Sequence, residues 1–93
     1  MKTYGEVIKE GRKKHELTME QLARRCRTHK GYISGIENGK VAPPAAPMSK
    51  KLAKNLGISV THLILLAHCE KAPKEVRAWI MRDMRPSLAL ITG

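Results

Sequence analysis

Leu17-Thr18-Met19-Glu20-Gln21-Leu22-Ala23-Arg24-Arg25-Cys26-Arg27-Thr28-His29-Lys30-Gly31-Tyr32-Ile33-Ser34-Gly35-Ile36-Glu37-Asn38-Gly39-Lys40 is the stretch that decides the fold. It reads as two short helices with a turn between them. Thr18-Met19-Glu20-Gln21 has the pattern of a capping box, in which the Gln21 side chain reaches back to the cap residue. Leu22, Ala23 and Cys26 follow as an apolar stripe at helical spacing. A second helix is predicted from about Lys30 to Glu37, and Asn38-Gly39 supplies the turn chemistry that ends it.

The helical period continues on both sides. Upstream, Tyr4, Val7, Ile8 and Gly11 share one face and charges fill the other, which predicts an amphipathic helix from about Thr3 to Lys14. Downstream, Pro43, Pro44 and Pro47 mark Lys40 to Ser49 as a loop. A fourth helix carries Met48, Leu52, Ala53 and Leu56 and ends at Gly57. Ser59 caps a fifth, with Val60, Leu63, Ile64 and Ala67 inward. Pro73 suits the first position of a sixth helix, whose stripe is Val76, Trp79, Ile80 and Met84 and which Pro86 stops. The remaining segment, Ser87 to Gly93, is short and apolar, with Leu88, Leu90 and Ile91. No alternating stretch of useful length is present, so the expected class is all-α: a compact five-helix bundle followed by a short C-terminal helix and tail. The expected division is a domain over 1–68 and an extension over 69–93.

With 93 residues, the chain has the length of one domain with one modest core. It has no Phe, one Trp and two Tyr, so aliphatic side chains must build that core. No apolar run approaches the roughly 18–20 residues of a membrane span. The start, Met1-Lys2-Thr3-Tyr4-Gly5-Glu6, lacks the apolar stretch of a signal peptide. Cys26 and Cys69 stand alone, without zinc spacing or a disulfide framework, and read as reduced thiols of a cytoplasmic protein. The net charge is +10, unevenly distributed. Residues 1–54 hold 13 basic and 5 acidic side chains, whereas residues 55–93 hold 5 and 3. A basic half points to a polyanionic partner.

Leu17 to Ala23, the run Tyr32-Ile33-Ser34-Gly35-Ile36-Glu37-Asn38-Gly39-Lys40 and the later Leu52-Ala53-Lys54-Asn55-Leu56-Gly57-Ile58-Ser59 together resemble the Cro/phage-repressor (XRE) family of helix-turn-helix domains. The similarity covers about residues 4–66, and several spaced blocks fall in the right order. It implies a five-helix bundle whose third helix lies in the major groove of double-stranded DNA.

On the predicted third helix Ile33 and Ile36 lie together, and Gly31, Ser34, Gly35 and Asn38 lie opposite. The resemblance assigns the base-facing positions to Lys30, Gly31, Ser34 and Gly35. Two of these have no side chain, and each glycine costs a helix interior about 0.8–1 kcal/mol relative to alanine. Either the backbone approaches the groove closely, leaving specificity to Lys30, Ser34 and DNA shape, or the surface has lost base reading and binds a protein. The resemblance sets Thr18, Met19, Arg27, His29, Tyr32, Asn38 and Lys40 toward phosphates. Met19 replaces the family's usual Gln. Arg27 stands where the family commonly has Gly, so it must adopt a left-handed or otherwise adjusted turn. His29 is placed to cap the third helix or touch phosphate. The resemblance also implies a structural ion pair between Arg12 and Glu37.

His15, His29, His62 and His68 are too scattered for a metal site, and no carboxylate pair or nucleophile set has supporting spacing. No metal, cofactor, membrane contact or enzymatic role is expected. The first functional expectation is a DNA-binding transcriptional regulator, a repressor acting as a homodimer on a two-fold operator, with the C-terminal extension as the dimer surface. The alternative is a protein-interaction or antitoxin-type module on the same scaffold.

Overall fold

The computed structural model describes residues 2–73 and Glu75. These residues form α1 (Tyr4–Lys14), α2 (Met19–Arg25), α3 (Lys30–Glu37), α4 (Ala46–Leu56) and α5 (Val60–Lys71), with no strand among the described residues. The class is all-α, as the periodicity predicts.

Each helix starts at a residue whose local chemistry favours an end. The Thr18 hydroxyl accepts from the Gln21 amide at 3.0 Å, and the Gln21 side chain accepts from the Thr18 amide at 2.8 Å, completing the capping box. Thr3 and Glu6 form a second box at the start of α1. Ser59 caps α5 by accepting from the His62 amide. α4 has no side-chain cap and opens with Ala46-Pro47. The loop expected to reach Ser49 is therefore shorter, because a proline in the first helical turn forfeits no intrahelical bond.

Helix ends share one device. α1, α2 and α3 each close on a left-handed residue, respectively Glu16 (φ 56), Arg27 (φ 57) and Gly39 (φ 73). In each, the next amide reaches back over the last turn: Leu17 to the Arg12 carbonyl, Thr28 to Ala23, and Lys40 to Gly35. α4 ends similarly at Gly57 (φ 65), with the Ile58 amide on the Ala53 carbonyl.

These reversals fold the helices around one core, in which Ile8, Leu22, Ile33, Leu52 and Leu63 are fully enclosed. The Tyr4 hydroxyl sits 2.8 Å from Ser49 Oγ, which donates onward to the Pro44 carbonyl. This buried chain ties α1 to α4 and the loop before it. Burial pushes the Tyr4 phenol up to about 12. The His15 ring clasps the Leu56 carbonyl at 2.9 Å, joining the ends of α1 and α4.

α5 runs through the expected boundary at residue 68, and Cys69 is enclosed in the core. The bundle therefore extends to Lys71, because the apolar face of α5 continues for another turn. The expected helix of Val76, Trp79, Ile80 and Met84, and the tail with Leu88, Leu90 and Ile91, lie outside the described residues. No helix among the described residues is long and apolar enough to cross a membrane. Nor do three His, Cys, Asp or Glu side chains converge there as metal ligands would.

Candidate nucleic-acid interface

α2 and α3 meet through the turn Cys26–His29. Arg27 takes the left-handed conformation that its position demands, which costs a side-chain-bearing residue on the order of 1 kcal/mol. His29 caps α3, its Nδ1 accepting from the Tyr32 amide at 3.3 Å. An accepting Nδ1 carries no hydrogen, so Nε2–H is left as the ring's donor. The Tyr32 ring is half-buried and tilted against His29, with centroids 6.4 Å apart.

The inner side of α3 is fixed by three contacts. Ile33 and Ile36 are buried in the core. A Cβ on Gly5 would lie 2.3 Å from the Ile36 carbonyl oxygen, so α1 approaches α3 as closely as a glycine permits. Arg12 Nε donates to Glu37 Oε2 at 2.8 Å, Nη2 to Oε1 at 3.1 Å, and Nη1 to the Leu17 carbonyl at 2.8 Å. The Glu37 side chain is 0% exposed and that of Arg12 11%. This two-pronged geometry compensates a carboxylate that burial alone would disfavour.

The outer side is sparser. Lys30 and Gly31 are exposed, and a Cβ on Gly31 would meet only the His29 ring, at 3.5 Å. Ser34 is half-buried, and its hydroxyl accepts from Asn38 Nδ2 at 3.3 Å. Lys40 is exposed just beyond the helix. Gly35 differs from the wheel-based expectation of an open face. It is buried, because Val41 folds back over it and would stand 2.5 Å from an added Cβ. At the start of α2, Thr18 is exposed and keeps its hydroxyl hydrogen for an outside acceptor, while Met19 is half-buried against the core.

Charge is segregated around this surface. Between Gln21 and Leu56 stand Arg24, Arg25, Arg27, Lys30, Lys40, Lys50, Lys51 and Lys54, all exposed. The single acid in that span, Glu37, is buried and paired with Arg12. No carboxylate of this span reaches the surface, and Glu20, exposed in the first turn of α2 just before it, is one acid against eight cations, so the net attraction is for polyanions. α4 joins it directly: Asn55 Nδ2 lies 3.9 Å from Cys26 Sγ at the end of α2.

Two residues of this region escaped the sequence pattern. Gly5 looked like an ordinary glycine in a helix, and only the position of α3 reveals its role. Val41 looked like one residue of a proline-rich loop. Its signal was indirect: a glycine at 35 with no turn to explain it.

A family model described as helix-turn-helix matches residues 8–63. Among curated proteins, the chain is 36% identical over 78 residues to the uncharacterized HTH-type transcriptional regulator RghRB of Bacillus subtilis (strain 168), covering 83% of this chain and 56% of that protein. It is 33% identical over 87 residues to the HTH-type transcriptional repressor RghR of the same organism, covering 87% and 64%. The chain thus spans less than two thirds of the length of either relative. Among solved structures, it resembles a chain of a SinR protein/SinI protein complex, with a TM-score of 0.61 and 28% identity over 91% of this chain and 81% of that one. The fold also matches the clp gene regulator ClgR from Corynebacterium glutamicum, with a TM-score of 0.60, 23% identity, and coverage of 90% and 88%. With more than half of the chain matched by the family model, and with two capped helices set across the Arg27 turn, the protein belongs to the helix-turn-helix family of Cro/phage-repressor (XRE) type.

Proposed function

We propose that the protein is a transcriptional repressor that lays α3 in the major groove of double-stranded DNA, as a homodimer on a two-fold operator in the cytoplasm. The observation that carries this reading is the span from Gln21 to Leu56, which holds eight exposed cations and one acid, buried, with Glu20 the one exposed acid of α2 before it. Lys30, Gly31 and Ser34 face the bases, with Gly31 allowing close backbone approach. Thr18, Arg27, the Nε2–H of His29, Asn38 and Lys40 hold phosphates; Met19 and Tyr32 flank them with apolar surface. Phosphate contacts of this kind supply most affinity and set orientation, while base-edge contacts supply sequence preference. The dimer expectation rests on the apolar residues Leu88, Leu90 and Ile91, which one small core has little room to cover.

The test is binding to random duplex and to an operator enriched from a random pool, over a salt series. The affinity falls steeply with salt, by a log–log slope of about 0.9 for each phosphate neutralised. The operator is preferred by at least ~10³. Lys30→Ala reduces that preference, and Lys40→Ala weakens all sequences alike. Absence of duplex binding at low salt sinks the reading.

A second reading, a protein-interaction or antitoxin-type module, is favoured by the bare Gly31 on the outer face. The SinR neighbour, solved in complex with SinI, gives that reading a counterpart on a similar scaffold. Salt-insensitive or absent DNA binding combined with stoichiometric capture of a partner protein would select it.

A further inference from the structure

Val41 stands apart from everything around it on the motif. It is an exposed large hydrophobic residue, at 37% exposure, packed on Gly35 one helical turn from the exposed Gly31. Its position is fixed rather than incidental. The Lys40 and Val41 amides both donate to the Gly35 carbonyl, at 2.9 and 3.1 Å, clamping the loop onto the last turn of α3. The clamp sets the valine against the bare Cα of residue 35. A Cβ there would lie 2.5 Å from Val41 Cγ2 and 3.4 Å from Val41 Cβ. A valine methyl thus occupies the space in which a side chain at 35 would begin.

We propose that Val41 is a specificity-determining residue, its γ-methyl groups presented through the Gly35 gap to contact the C5-methyl of a thymine in the major groove. The inference rests on the DNA-binding reading above and extends its base-facing row, Lys30, Gly31 and Ser34, by the Val41 side chain that covers Gly35. It also accounts for the glycine: α3 gives up its own side chain there and takes an apolar one from six residues downstream. The chemistry commits the ligand. The thymine C5-methyl is the one apolar group that base edges present in the major groove, and an aliphatic side chain is its ordinary partner. A methyl pair removed from water recovers roughly fourfold in affinity by transfer bookkeeping.

The test uses the full chain, the enriched operator and a set of operators in which each thymine is replaced in turn by uracil, which lacks only that methyl. Wild type loses roughly fourfold at one or two positions per half-site. Val41→Ala loses about that factor on the parent operator, and uracil at the same positions then has no further effect. Val41→Thr, which keeps the volume and exchanges one methyl for a hydroxyl, guards against a packing artefact, with both variants' melting curves as the control for folding. Both variants bind random duplex as wild type does. The proposal is overturned if no thymine position responds to uracil, or if the variants keep the wild-type response. Val41 is then only a wall of the cleft of about 780 Å³ that it lines with Gly39 and Pro43, and the DNA-binding reading stands. If wild type binds no duplex at all, both fall together, and that outcome is distinct from the first two.

Discussion

Toward the bundle, α3 meets α1 so closely that a single added methyl at Gly5 would strike the Ile36 carbonyl, and its last residue, Glu37, is buried and held by the two-pronged Arg12. Toward solvent, the same eight-residue helix shows a lysine, an unobstructed glycine and a half-buried serine. The inner face is specified by contacts that tolerate little change. The outer face is nearly free of internal constraint, as a surface reserved for a partner can be. On the DNA-binding reading proposed above, stability and recognition are separable along one helix, and substitutions on its two sides should move different observables.

The largest effect is expected on the inner side. Arg12→Ala strands the buried Glu37 carboxylate and should cost about 3–5 kcal/mol, read as a fall in denaturant midpoint. Changing Arg12 and Glu37 together to apolar residues of similar volume should recover most of that loss. A cost below ~1 kcal/mol for Arg12→Ala would show that the inner face is not held by the pair. Gly5→Ala comes next, at about 2–3 kcal/mol, since the obstruction is backbone oxygen that cannot rotate aside. Calorimetric melting should detect it; an unchanged melting temperature would mean that α1 can slide on α3.

The Tyr4 phenol adds a pH signature on the inner side. Its folded pKa, raised by burial to about 12, exceeds the ordinary value near 10, so the folded state holds this proton more tightly. That contribution is complete below pH 10 and is lost as pH rises through 12. Wild type should lose about 2 kcal/mol more than Tyr4→Phe between those limits. Parallel stability curves for the two proteins would contradict it. The smallest effect belongs to the outer side. Gly31→Ala should stabilise the protein by about 0.5–1 kcal/mol, because the new methyl meets only ordinary contact with His29. On the close-approach reading the same variant binds DNA more weakly. A variant that gains stability and keeps full DNA affinity would remove the reason for the glycine.

Much of this was legible locally. Thr18 and Gln21 announce the start of α2, and Asn38-Gly39 the end of α3, because caps and turns are decided within four or five residues. The ordered blocks from Leu17 to Ser59 placed these helices in a family, which the profile over residues 8–63 shows. Pro47 reads as a breaker in the sequence but sits in the first turn of α4, where it forfeits no intrahelical bond. α5 continues past residue 68 to Lys71, and Cys69 declares its burial only once α5 packs on its neighbours. Gly5 and Val41 were opaque for a stronger reason. Their meaning depends on backbone from another segment, Ile36 for one and Gly35 for the other, and no local pattern encodes that approach. The DNA groups that Lys30, Ser34, Thr18 and Lys40 would meet are implied by family resemblance, because no cap or periodicity encodes an outside partner.

Cys26 has a consequence in time rather than in energy. Its thiol is fully enclosed at the end of α2, facing Asn55 of α4, and burial pushes it away from the thiolate form that reagents attack. Alkylation must then wait for the motif to lift from α4, so its rate counts those openings, one chemical event per excursion. The second enclosed thiol, Cys69 on α5, keeps a clock of its own. Two buried cysteines on different helices thereby give the molecule a built-in record of how often each helix opens, and a bound duplex should slow the first clock more than the second.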